Sequence, residues 1–480
     1  MQKKKGISLI VLVITIIVMI ILAAAVVISL GNVRIIDKAS EVVDKNRVIT
    51  IKDRVNVAIL ENKLAEYKGG TVHKKSDVVA ELLEDGVITE TEAETLKNGE
   101  DVLIIGNDSI DFSELNAIVT FNNGEYEYNG VKYSTLTGAI NAVEIDNNIT
   151  LVFTTNYEEN MTIANNSRIT KIDGKGNTYT GTITINGGGN QGTIAIKNMN
   201  FVSTGTHCIY KSKTGFKDKI IIDTCNFNGV GANSYAVNIG NIDNLVIRNC
   251  TATNWGYGLL YAPSTIVHLT AENITVTESD YGIHIVYFAD CTFKSVMLDT
   301  VYGFVFSNWG SWNVTFEDCS VKSQKPVYIW ERNANKYCSL TFNGKNNLLS
   351  TQDGGGWVEL GKYFKVVLND SGLDASTING IVVKNNNAYY NQFEYAITDA
   401  AEGNTINIIA DTEVTTSITI DKNITVLKGD NTFAVGTNGS FTVTAGTYDW
   451  DVTGHCAEGK SVSISDGVIN GVTTRLYTVE

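Results

Sequence analysis

Ile196-Lys197-Asn198-Met199-Asn200-Phe201 reads apolar, charged, small polar, apolar, any, apolar. Five more copies follow: Ile222-Asp223-Thr224-Cys225-Asn226-Phe227, Ile247-Arg248-Asn249-Cys250-Thr251-Ala252, Ala271-Glu272-Asn273-Ile274-Thr275-Val276, Phe293-Lys294-Ser295-Val296-Met297-Leu298 and Phe316-Glu317-Asp318-Cys319-Ser320-Val321. Their fourth positions are 26, 25, 24, 22 and 23 residues apart. A repeat of this period, built from short β-type segments, marks a solenoid in which each copy is one coil.

The pattern carries its own geometry. Side chains of a straight strand alternate faces, so positions three apart point opposite ways. Here the first and fourth positions are both apolar in every copy, so the chain bends at the second or third. The third position is Asn, Thr, Asn, Asn, Ser, Asp, residues that favour turns, and Asn and Asp also tolerate left-handed backbone. The second position gives an independent check on register. It alternates in sign at every step: Lys197, Asp223, Arg248, Glu272, Lys294, Glu317. With coils stacked ~4.8 Å apart, each charge lies between opposite ones.

A second ladder runs half a coil later, through Tyr235-Ala-Val237-Asn238-Ile239, Tyr257-Gly-Leu259-Leu260-Tyr261, Tyr281-Gly-Ile283-His284-Ile285, Tyr302-Gly-Phe304-Val305-Phe306 and Lys325-Pro-Val327-Tyr328-Ile329. Together the columns resemble a right-handed parallel β-helix of the pectin-lyase-like type. The bend column resembles that family's asparagine ladder. The resemblance covers about half of the chain and speaks to fold rather than activity.

The remaining composition agrees. Forty-three Gly and two Pro in 480 residues suit turns between stacked strands. A formal charge of −15 argues against nucleic acid as a partner and suits an exposed ectodomain. The seven Cys include no CxxC and no zinc-type spacing. Cys225, Cys250 and Cys319 share an inward column that also accepts Met, Ile and Val, which favours buried free thiols. A disulfide between Cys225 and Cys250, on adjacent coils, is the alternative. No metal or cofactor is expected.

At the N-terminus, Lys3-Lys4-Lys5-Gly6 precedes Ile7 to Leu30, 24 residues without a charge. That length spans a bilayer, and the lysines place the remainder outside the cytoplasm. The arrangement resembles a type IV prepilin leader. The resemblance implies cleavage after Gly6, Ile7 as the mature first residue, and association with other pilin-like subunits. That family usually carries Phe at the first mature position and Glu at the fifth; here they are Ile7 and Val11. An uncleaved signal anchor is the alternative. The expected localisation is the cell membrane, single-pass, with the C-terminal region at the cell surface.

The organisation then reads as a leader (1–6), a transmembrane helix (7–30), an amphipathic helical stalk (31–70), a small helical region (71–120), a parallel β-helix (121–385) and a second, shorter β-helix-like module (386–480). Ile35, Ile36, Ala39, Val42 and Val43 are expected on one face of the stalk. Two short helices are expected around Asp85-Gly86. The last boundary rests on an internal repeat. Tyr133-Ser-Thr-Leu136-Thr-Gly-Ala139-Ile140 recurs as Tyr390-Asn-Gln-Phe393-Glu-Tyr-Ala396-Ile397, 257 residues on. Ile149-Thr-Leu151 recurs as Ile406-Asn-Ile408 at the same offset. Each copy reads as a short capping helix followed by the first coils, and resembles modules of bacterial surface proteins.

The candidate site is the outer face of the second ladder. Its expected outward pairs are Asn238 with Gly240, Leu260 with Ala262, His284 with Val286, Val305 with Ser307, and Tyr328 with Trp330. Such a face is largely apolar, so it either binds a partner or is covered by another segment. Aromatic faces suit sugar rings, which makes His284, Tyr328, Trp330 and Glu331, with Trp255, Trp309 and Trp312 in nearby turns, the expected ligand-binding set for a surface polysaccharide or glycan. No catalytic residue is assigned. Hydrolases on the resembled fold use paired carboxylates, and their Gly-His-Gly and Asp-Asp pairs are absent here. The leading expectation is a non-catalytic adhesion or carbohydrate-binding protein. The alternative is a surface polysaccharide lyase or glycoside hydrolase using the Tyr328–Arg332 region.

Overall fold

The computed structural model describes residues 33–68, 73–97, 100–106, 108–143, 148–164, 167–186, 192–203, 205–211, 217–307, 312–329, 338–353, 355–356, 358–359, 364–378, 380–469 and 471–480. The leader and the apolar stretch Ile7–Leu30, including Gly6 and Ile7, lie outside the described residues. No helix among the described residues is long and apolar enough to cross a membrane.

The chain forms two compact units. The first runs to Ala117 and includes Val143–Asn148. Its long helix α1 (Val33–Lys68) is followed by α2 (Lys75–Glu84) and α3 (Glu90–Lys97), the two short helices expected from the sequence. An antiparallel pair, Val102–Ile105 with Asp108–Asp111, completes it. Val48, Ile51, Val55 and Ala58 of α1 pack in one core with Val78, Val79 and Leu82 of α2, Leu96 of α3, and Leu103 and Phe112. Helices α1, α2 and α3 therefore share one core within this unit. Val42 and Val43, which share one face in the sequence reading, are exposed.

The second unit is mainly β, a solenoid of about 11 turns. Successive coils pair in parallel, and the first ladder keeps the register read from the sequence. The first column runs Ile196, Ile222, Ile247, Ala271, Phe293, Phe316, each paired with the next. It continues into Phe342 and Leu368. The bend falls at the third position. Asn198, Thr224, Asn249, Asn273, Ser295 and Asp318 all have φ between 51° and 54°. This left-handed region costs most residues about 1–2 kcal/mol and costs Asn least. Side-chain bonds offset part of that cost. Asn198 Nδ2 donates to Asp173 Oδ1 at 3.1 Å, Asn249 Nδ2 to Asp223 Oδ1 at 3.0 Å, and Asn273 Nδ2 to Asn249 Oδ1 at 3.0 Å.

The interior is a set of like-on-like stacks. Phe201 lies 4.9 Å from Phe227 with rings 4° apart, and Phe316 lies 4.6 Å from Phe342 at 8°. Identical side chains one coil apart share a rotamer, so their rings lie parallel at the coil spacing. Cys225, Cys250 and Cys319 are buried free thiols. Their Sγ atoms donate to carbonyls, as Cys250 does to Arg248 O at 3.1 Å. The hydrogen bond with Cys250, then burial, pushes the Cys225 thiol up. The column thus treats Cys as a small hydrophobe with a weak donor.

The charge column also pairs in register, and two of its steps close to ion pairs: Arg248 with Asp223 at 2.9 Å and Lys294 with Glu317 at 3.0 Å. Burial alone would raise the Asp223 carboxyl. Hydrogen bonds from Asn249, Arg248 and Thr224, with the Arg248 charge, outweigh burial and hold it below the ordinary carboxylate range. Arg248→Glu places three negative charges on successive coils, and should destabilise by about 1 kcal/mol. Adding Asp223→Lys should recover part of the loss. A denaturation double-mutant cycle checks this; additive effects would show that the two side chains do not interact.

The internal repeat is structural. Helix α4 (Leu136–Ala142) and helix α5 (Phe393–Asp399) hold equivalent positions, each after an antiparallel hairpin: Glu125–Tyr128 with Val131–Tyr133, and Val383–Asn385 with Ala388–Tyr390. Parallel coils then follow each helix. Phe393, Ala396 and Ile397 of α5 enter the core of the second copy with Ile406, Val426 and Phe441. The unit ends in a long antiparallel hairpin, Val462–Ile469 with Val472–Val479.

Candidate functional site

The outer face of the second ladder differs from its expected composition because of one residue. In four coils the tyrosine or lysine that opens the segment is followed two positions later by an inward apolar residue. In the Tyr257 coil it is followed by Gly258, with φ +71°, and an extra residue is accommodated. Leu260, not Leu259, then pairs with Val237 and Ile283, and Tyr261 pairs with Asn238 and His284. Leu260 and Ala262 are therefore fully buried, and Tyr261 takes the outward place. An added residue that re-aims the next side chain, with Gly in left-handed backbone, is the signature of a bulge. Alternation alone cannot reveal it, because Leu-Leu-Tyr satisfies either register.

The outward column consequently reads Tyr210, Asn238, Tyr261, His284, Val305, Tyr328. Val305, with Ser307 beside it, is buried rather than outward as expected; the rest of the column is aromatic and polar rather than apolar. Beside it stands the column His207, Tyr235, Tyr257, Tyr281, Tyr302. Tyr235 and Tyr257 stack at 4.5 Å, Tyr257 and Tyr281 at 5.4 Å, and Tyr281 and Tyr302 at 5.0 Å, with rings 13–19° apart. Tyr261 stacks on Tyr235 at 4.7 Å, His284 on Tyr281 at 5.7 Å, and His207 on Tyr210 at 5.0 Å. Tyr328 ends the strip 6.2 Å from Tyr302, with Lys325 Nζ 4.4 Å from its ring centre. At ~4.8 Å per coil the strip runs roughly 24 Å along the solenoid.

The stacking decides what the strip can offer. Each central ring has a neighbour on both faces, so it presents its edge and its hydroxyl outward. The four stacked tyrosines are half-buried. Among the described residues, the hydroxyls of Tyr235, Tyr257, Tyr281 and Tyr302 have no hydrogen-bond partner. Burial, then the neighbouring Tyr257 and Tyr261, pushes the Tyr235 phenol up to about 12. Tyr281 is raised by burial and then by Tyr302 and Tyr257. These groups stay protonated and can donate as well as accept. Burial holds the His207 imidazole below its ordinary value, which favours its neutral form. His284 is buried between Tyr261 and Tyr281, so it supports the strip rather than presenting a free ring.

Two of the expected tryptophans are interior residues. Trp255 is 1% exposed. Its Nε1 donates to Phe227 O at 3.2 Å, and Gly229 leaves the room its ring occupies. Trp312 packs against Phe288, Phe306 and Phe364 at 5.0, 5.6 and 5.7 Å. Neither lies in a turn: Trp255 ends the strand Ile242–Trp255 and Trp312 opens the strand Trp312–Glu317, and both indoles are buried, so neither offers a surface to a ligand. Trp309, Trp330 and Glu331 lie outside the described residues, as does Arg332. Tyr328 remains on the strip. Asp223, Arg248 and Glu272 belong to the charge column, a different column of the ladder from the strip; Glu272 precedes Tyr281 and His284 on the same strand, Ile266–Ile285. Among the described residues, no group of three or more His, Cys, Asp or Glu gathers as metal ligands would.

No protein family, curated protein or solved structure matches this chain. The solenoid and its strip stand on the chain's own geometry.

Proposed function

We propose that this is a non-catalytic surface protein whose tyrosine strip binds an extended glycan. The observation that carries this reading is the row of stacked, half-buried tyrosines whose hydroxyls have no partner among the described residues. Such a row matches a ligand with a regular series of hydroxyls, because each coil repeats the same donor and acceptor. The stack is already ordered, so little side-chain freedom is lost on binding. Recognition by hydroxyl pairing replaces the expected stacking of sugars on open ring faces.

The test is a double substitution, Tyr257→Phe with Tyr281→Phe, in the full-length chain. Phenylalanine preserves the stack and removes two hydroxyls. At about 0.5–1.5 kcal/mol per hydrogen bond, glycan affinity should fall about ten-fold while the denaturation midpoint stays in place. Unchanged binding would sink the proposal. Release of reducing or unsaturated sugar ends by the purified protein would promote the lyase or hydrolase alternative.

Display at the surface is part of the same proposal. It is supported by Lys3 to Lys5 ahead of the uncharged Ile7–Leu30 and by the prepilin-like Lys5-Gly6-Ile7 junction. N-terminal sequencing of the membrane fraction should find Ile7 first. An intact Met1 would instead indicate an uncleaved anchor.

A further inference from the structure

A buried polar cluster in the first unit is not used by the tyrosine strip. Lys75, the first residue of α2, is 6% exposed, Asp101 7% and Asn116 6%. The two oxygens of one carboxylate join the other two side chains. Lys75 Nζ donates to Asp101 Oδ1 at 2.7 Å, and Asn116 Nδ2 donates to Asp101 Oδ2 at 2.8 Å. Asn148 Nδ2 also donates to Oδ1, at 3.3 Å. Lys75 Nζ further donates to the backbone oxygen of Glu100. An amine nucleophile, a carboxamide electrophile and a carboxylate that touches both thus meet in a site shielded from water.

We propose that Lys75 and Asn116 join in an intramolecular amide bond, with Asp101 as the catalytic acid–base. Nζ of Lys75 bonds to Cγ of Asn116, and the Cγ–Nδ2 bond breaks. Nζ enters as an ammonium and ends as an amide N–H, so it gives up two protons. Both pass over Asp101 to Nδ2, which leaves as ammonium. Asp101 finishes as the carboxylate it was, and no oxidant, metal or cofactor enters the balance. The fold supplies the two usual requirements. It holds the reacting groups together, which replaces a bimolecular encounter, and it places a proton carrier within hydrogen-bond reach of both nitrogens. Exclusion of water protects the product from hydrolysis. The bond would tie the start of α2 to the residue that follows the short turn Ser113–Leu115.

Tandem mass spectrometry of a digest of the purified full-length chain tests this. The expected product is a branched peptide joining the segments around Lys75 and Asn116, lighter than the two linear peptides together by one ammonia. Fragment ions must place the branch on both side chains, which separates it from cyclisation or deamidation of Asn116 alone. Asp101→Asn and Lys75→Arg should each restore the two linear peptides, with circular dichroism confirming that the helices persist. Linear, unmodified Lys75 and Asn116 peptides from the parent chain would overturn the proposal. A branch to Asp101 with loss of water would overturn the assignment of Asn116. An undiminished crosslink in Asp101→Asn would overturn the role of Asp101.

Discussion

Gly258→Ala is expected to destabilise the solenoid by about 3 kcal/mol or more, read as a lower denaturant midpoint. Two costs add. The residue sits at φ +71°, where a side chain costs about 1–2 kcal/mol. Its added Cβ would also overlap the backbone oxygens of Tyr281 and Gly282. Those atoms belong to the strand Ile266–Ile285, which has a parallel neighbour on each side, so they cannot yield cheaply, and overpacking costs about 1–3 kcal/mol more. Gly176→Ala is the control. Its φ is +81° with nothing within 4 Å of the added Cβ, so it carries the backbone cost alone. Equal losses in the two variants would show that the bulge is not tightly packed. Because Gly258 sets the register of Tyr261, the variant should also weaken glycan binding, whereas Gly176→Ala should leave it intact.

Trp255→Ala should cost about 3–5 kcal/mol, the usual range for a large aromatic removed from a core. The indole is fully enclosed, and its departure leaves Phe227 O without its donor as well as a cavity. The effect separates two roles for this residue. A surface ligand-binding tryptophan would lose binding and keep its stability. An interior one loses stability and, in the fraction that remains folded, keeps its affinity for glycan. Trp255→Phe, which refills most of the volume without the N–H, should recover about half of the loss. A midpoint unchanged by Trp255→Ala would contradict the packing described above.

How much of this molecule could be read directly depended on how often a signal was repeated. Every coil from Ile196 to Val321 carries the same six-residue pattern, so each copy checks the others, and the observed pairing follows that register throughout. The bend column was legible because Asn, Asp and Ser are the residues that left-handed backbone tolerates. Thr224 shows that the column obeys position more than residue preference. The helices α4 and α5 were legible for the same reason, since Leu136 and Phe393 recur at a fixed offset.

Features that occur once were decided by tertiary structure. The sequence by itself determined the solenoid, its first-ladder register, its charge column and the two short helices of the first unit. It could not determine which way Trp255 and Trp312 point, because each sits at a strand end, outside the repeated columns that would orient it; the room beside Gly229 and the ring cluster around Phe306 decide that. It could not place Tyr261 outward, because either register of Leu259-Leu260-Tyr261 keeps an apolar residue inside and only the left-handed Gly258 selects one. Nor could it bring Lys75, Asp101 and Asn116 together, since their separation along the chain follows no repeat. Repetition along the chain encodes local backbone geometry, whereas the meeting of unrelated side chains is settled only when distant segments compete for the same interior space.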